Sequence, residues 1–287
     1  MAVAEALVLG VLLGLVYATL SVGFSLIWGT LDVIHVSHGA FAILAAYLGY
    51  TANETLGIDP ILALIGIVPL FFVIGVGLYE LLFRPLAHRA TEVAFASMVL
   101  TFGLAIALEN LLVLQFSADP RILRTGYTRD VVEVIGVPVT VGRLLGAGLA
   151  ILTLVIVYLF LKQTYTGRAV LAVAQNEEGA ALSGINERRV SAITFGIGLS
   201  TVAIAGVATV MFWSFSPSEH IHWMVFVFIV TILGGVGSVI GAATAGLLTG
   251  LVFEFSALVV PFVWVDFVLF VLLIGLLVVK PEGLFQQ

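Results

Sequence analysis

The sequence predicts an all-α integral membrane protein, a polytopic helical bundle with about eight to nine membrane segments. Composition is the first observation: 61% of the 287 residues are apolar, 10% are charged and the mean hydropathy is +1.22, far from a soluble globular average. The second is length. Apolar runs recur at 6–28, 61–83, 95–116, 143–161, 190–213, 238–259 and 262–279, and at about 1.5 Å per residue each spans a hydrocarbon layer of roughly 30 Å. The third is pattern: the runs are apolar all round, without the two-residue alternation that a membrane barrel requires.

The first run follows MAVAEALVLG, which has no basic flank, and exceeds a signal h-region in length, so it is expected to stay as the first helix. Two further apolar pieces, 39–52 and 223–233, would be only about 16 to 21 Å long as helices and are read as short or broken segments. Between the runs, Arg84 and Arg89, then Lys162, Arg168, Arg188 and Arg189, then Lys280 fall on one side, against Arg121, Arg124, Arg129 and Arg143 on the other. The positive-inside rule makes the first set cytoplasmic, and with it the C-terminus; if both short pieces complete crossings as broken helices there are nine passes and the N-terminus lies outside. The net charge of −6 is spread over loops and offers no nucleic-acid face. Cysteine is absent, which excludes disulfides and thiolate chemistry.

The chain also reads as a parallel internal repeat. SHGAFAILAAYLG leads to LLFRPL, and SVIGAATAGLLTG leads to LLVVKPEG, each unit ending in a basic residue and proline.

Polar residues inside such a chain are candidates for function, because an unpaired charge in the bilayer costs a few kcal/mol. Asp32, His35, Ser37 and His38 stand together in LDVIHVSHGAFAILAAY, at the break before the second helix. They either cap that helix or line a translocation path. Gly234, Gly235, Gly237 and Ser238 form a second break; without Lys-Ser/Thr or a βαβ context it is no phosphate loop, and it reads as a helix break that packs closely or lines a path. Glu109 and Asn110 lie within the run 95–116, where Glu109 could line the path or pair with a neighbour such as His38. SEHIHW offers Glu219, His220 and His222 as a minimal metal set without further support, so no metal site is assigned. The alternation in DVVEVIGVPVTVG predicts a small hairpin within an outer loop 117–142. No catalytic constellation appears, which argues against an enzyme.

On the basic side, TGRAVLAVAQNEEGAALSGINERRV reads as a short amphipathic helix stopped at Gly184. This segment, 164–189, resembles the cytoplasmic coupling segment of ABC-importer permeases, with Glu177, Glu178, Ala180, Ala181, Gly184 and Ile185 on the matching positions. Together with IHVSHGAFAILAAY, LTFGLAIALENLLVL, ILGGVGSVIGAATAGLLTG and KPEGLF, in that order, the whole chain resembles the permease subunit of branched-chain amino-acid ABC importers. One departure is His35, where the family commonly carries Asn.

The resemblance implies a single permease domain over 1–287 in the cell inner or plasma membrane, forming the path for branched-chain or related small amino acids. It implies separate ATPase subunits that bind the ATP, leaving this chain without a cofactor of its own. It further implies a second permease subunit as a homologous heterodimer and an extracytoplasmic substrate-binding protein. A urea or amide permease is the related alternative; an ion-coupled secondary transporter using Glu109, Glu254 and His38 is the unrelated one.

Overall fold

The computed structural model describes residues 2–280 and 283–285; Pro281 and Glu282 of the closing KPEGLF lie outside them. Helix α1, Ala2–Leu31, is followed by α2, His38–Leu56, and α3, Pro60–Leu78. Helix α3 runs on through a π-helical turn, Tyr79–Phe83, into the short α4, Arg84–Ala87. The π turn lies immediately ahead of Pro85, which has no amide hydrogen to donate. Then come α5, Val93–Phe116, a hairpin of β1, Val131–Val134, and β2, Val137–Thr140, and α6, Val141–Gln163. The remainder is α7, Tyr165–Gln175; α8, Glu177–Leu182; α9, Glu187–Thr209; α10, His220–Gly234; α11, Val239–Ala257; and α12, Val265–Val279.

Among the described residues, eight helices are long and apolar enough to cross a membrane. They are α1, α3 with α4, α5, α6, α9, α10 with its leading 3-10 turn, α11 and α12. The two pieces expected to be short are not. Helix α2 runs 19 residues and α10 with its leading turn spans 18, Pro217–Gly234, or about 27 to 28 Å each. The polar residues Thr51, Asn53 and Glu54 continue α2 beyond its apolar stretch, and Gly57, at φ +65°, ends it. Asp59 accepts from the amide of Ile61 to start α3 directly afterwards.

Helices α1 and α9 are buried along most of their length, whereas only about a fifth of α3, α5 and α12 is buried. Small residues let the central helices approach. A Cβ on Gly14 of α1 would stand 2.7 Å from Gly246 O and Leu247 Cα of α11, so the two backbones touch where neither helix carries bulk.

The end of α3, the start of α11 and the stretch after α12 gather at one end of the bundle. Gly237 packs on Gly29 near the end of α1, Arg188 of α9 donates to Glu80, and Leu284 N donates to Leu233 O. This end carries Arg84, Lys162, Arg188, Arg189 and Lys280 and is called the basic end. The β hairpin closes the other. Its turn uses Ile135 and Gly136, both at positive φ, and its inward Val137 and Val139 pack on Val8 of α1.

Candidate translocation and coupling sites

Helix α1 ends at Asp32, whose positive φ (53°) breaks the helical run while its amide still bonds Trp28 O at 2.9 Å. The chain then turns back into the bundle. Six residues later His38 opens α2 with its Nε2 3.1 Å from Leu20 O, about three turns back along α1. Residues 32–37 are thus a re-entrant segment of non-helical backbone, which is stable at membrane depth only if its polar groups find partners. Helix α5 supplies them: Ile34 N donates to Ser97 Oγ at 3.0 Å, and Val36 N to Thr101 Oγ1 at 2.9 Å.

The imidazoles follow the same logic. Leu20 O can only accept, so His38 Nε2 donates to it, leaving His38 Nδ1 to accept from His35 Nδ1 at 3.4 Å. His35 Nε2 then accepts from Ser37 Oγ at 3.0 Å. Two neutral rings satisfy this chain, and His35 is walled by Phe41, Phe83 and Phe195. His35, Ser37 and His38 are fully buried. The sequence left capping or path-lining open for this cluster; Asp32 instead closes α1, and Ser37 precedes α2 with its hydroxyl turned to His35 rather than to the helix.

Two hollows flank the re-entrant segment. A cavity of about 880 Å³ opens at the basic end, lined by Asp32 to Ile34 on one side and Phe95, Met98 and the carboxylates Glu92, Glu177 and Glu187 on the other. Beyond the segment, a groove of about 170 Å³ runs between α5 and α10, lined by Val36, Phe102, Ala105, Ile221, Met224, Val225, Phe228 and His220. At the groove's end away from the basic side, His220 Nε2 lies 3.0 Å from Glu109 Oε2. Glu109 therefore pairs with His220 and not with His38, because Gly39 lets the His220 backbone sit directly on the start of α2. Asn110 points out of the bundle, its Nδ2 donating to Ile106 O.

Gly234, Gly235 and Gly237 make the tight turn from α10 to α11, with Gly235 and Gly237 at φ 91° and 83°. Ser238 caps α11 through Gly241 N at 2.9 Å, and Gly237 N donates to Ser25 Oγ of α1. This turn lines neither hollow. Glu219, His220 and His222 do not converge either: His222 Nδ1 is 3.8 Å from Asp266, and no metal-binding group of three occurs among the described residues.

The segment expected as one amphipathic helix is two. Asn176 Oδ1 accepts from Gly179 N at 2.8 Å and starts α8 afresh after α7. Gly184, at φ +80°, closes α8 in a Schellman motif, with Ile185 N bonded to Ala180 O and Gly184 N to Ala181 O. Ala180 and Ile185 face inward onto α7 and α9, while Glu178, Ala181, Gly184 and a 91% exposed Leu182 face away.

A bundle in which eight helices are long and apolar enough to cross a membrane and α2 runs between them, with a re-entrant segment between two hollows and a capped helix projecting from one end, has the architecture of a multi-pass membrane permease. The comparisons with known proteins specify which kind. The chain belongs to the family described as the permease component of branched-chain amino acid transport systems, which matches residues 6–277. It is 28% identical to the high-affinity branched-chain amino acid transport system permease protein LivH of Escherichia coli (strain K12), over 96% of this chain and 92% of that one. It is 28% identical to the corresponding protein BraD of Pseudomonas aeruginosa over 98% and 94%. The probable permease LivH of Methanocaldococcus jannaschii is 24% identical over 81% and 74%. No solved structure matches the chain.

Proposed function

We propose that this chain is one permease half of an ABC importer that passes branched-chain amino acids across the membrane, energised by ATPase subunits docked on α8. The family membership supports this substrate class over urea or amides and over ion-coupled transport. The observation that carries the coupling role is α8 itself: six residues held rigid by Asn176 at one end and Gly184 at the other, with Leu182 exposed at 91% on a surface that only a partner would cover. In this reading the basic end is cytoplasmic and the 880 Å³ cavity is the inner mouth of the path. The re-entrant segment 32–37 closes that mouth, a binding protein approaches the hairpin end, and the outward face of α5 with Asn110 meets a homologous second permease subunit.

The chain has no native cysteine, so Leu182→Cys is a clean single-cysteine probe. In the assembled complex it is expected to cross-link to an ATPase subunit and to be shielded from aqueous thiol reagents. Free labelling at position 182 in the assembled complex contradicts the docking role.

A further inference from the structure

Glu109 and His220 raise a question that helix packing does not answer. An ionisable pair on a lipid-facing surface is costly, yet this one sits on the exposed side of the bundle, with 26% of the Glu109 side chain accessible and Asn110 beside it. Directly below the pair, on the same faces of α5 and α10, lies the apolar groove of Phe102, Ala105, Met224, Val225 and Phe228. A carboxylate and an imidazole at 3.0 Å, joined to an apolar slot, are complementary to a molecule with an ammonium, a carboxylate and a branched aliphatic side chain.

We propose that the Glu109–His220 pair and the groove beneath it form the subsite that reads the passing amino acid, an inference that rests on the transport reading above. The ammonium takes Glu109, the carboxylate takes the Nε2 side of the His220 ring, and the side chain lies along Phe102, Met224 and Phe228. The exchange is balanced in charge. Empty, the two residues satisfy each other; occupied, each is satisfied by one end of the zwitterion, so neither state leaves a polar group without a partner. Val36 at the groove's far end belongs to the re-entrant segment, so an occupant touches the barrier it must pass.

The test uses the assembled permease–ATPase complex, without binding protein, and a leucine analogue bearing a photoreactive diazirine on its side chain. Cross-links are expected on the α5 and α10 peptides that carry Phe102 and Met224, and leucine should displace them. 4-Methylpentanoate, which lacks the ammonium, should compete about tenfold or more weakly than leucine, the scale of a lost charged hydrogen bond. In Glu109→Gln that discrimination should shrink to about threefold or less, while Glu109→Asp keeps it. Melting temperature and assembly of both variants separate this from misfolding, since a misfolded complex loses all labelling rather than the discrimination alone.

Labelling confined to other segments, or unchanged discrimination in Glu109→Gln, overturns the subsite. So does a groove labelled by a diazirine fatty acid that leucine fails to displace. If the complex accumulates leucine once ATP and binding protein are both supplied and the groove stays unlabelled, the subsite alone falls; if it moves no leucine even then, the transport reading falls and takes the subsite with it.

Discussion

Thr101 on α5 accepts the amide of Val36 at 2.9 Å, and its hydroxyl lies within donor reach of Ser97 O at 2.8 Å and Ile34 O at 3.1 Å. One side chain thereby clamps the segment that separates the two hollows. With Ser97 it replaces the partners that a helix would otherwise provide for residues 34–36.

Thr101→Val keeps the shape and removes the acceptor. The buried Val36 amide is then orphaned, at a cost of about 1–3 kcal/mol. Detergent-solubilised Thr101→Val should melt several degrees lower and leak substrate without ATP, whereas Thr101→Ser should behave as wild type. Equal melting temperature and tight vesicles for Thr101→Val would show that the clamp is not needed.

The position of His35 predicts what its replacement by Asn does. The ring is fully buried, packed by three phenylalanines and bonded to Ser37 and His38, and it reaches neither hollow. His35→Asn should leave the order of preference among leucine, isoleucine and valine unchanged. His35→Ala, which strips the ring and leaves Ser37 without its partner, should cost about 2–4 kcal/mol in stability. A changed preference in His35→Asn would place the ring in the path.

The contact of α1 with α11 makes a steric prediction. Gly14→Val forces bulk to within 2.7 Å of Gly246 O and Leu247 Cα, and the overpacking should cost at least about 1–3 kcal/mol. Gly66→Val meets nothing within 4 Å and should be near neutral in detergent melting. Comparable losses at both positions would contradict the close approach.

At α8, Gly184→Arg and Ala181→Glu place bulk or charge on the outward face, which Ala180 and Ile185 leave free by packing inward. Both variants should accumulate in the membrane normally and lose most ATP hydrolysis stimulated by loaded binding protein. Stimulation at wild-type level in either variant would remove α8 from coupling.

The membrane class and nearly every crossing were legible because apolar length and composition report them directly, and the hairpin was legible in its valine alternation around Gly136. The depth of 32–37 was not. Hydropathy records that Asp32 and His35 are polar, but the level of His38 against Leu20 is set by α5 and α10, through Thr101 and the contact of Gly39 with His220. The Glu109–His220 pair spans 111 residues, beyond any local pattern, although a lone carboxylate inside the apolar run 95–116 was a signal that it required a partner. The split of α7 from α8 is masked by small residues that continue across it; Asn176, three residues ahead of Gly179, is its one readable cap.

The most direct test of the transport reading is accumulation of labelled leucine, isoleucine or valine by vesicles holding the complete complex, with ATP supplied at the basic end and binding protein at the hairpin end. Accumulation is predicted only when both are present. Uptake driven by an ion gradient without ATP, or ATP-dependent uptake of urea with leucine ignored, would contradict it.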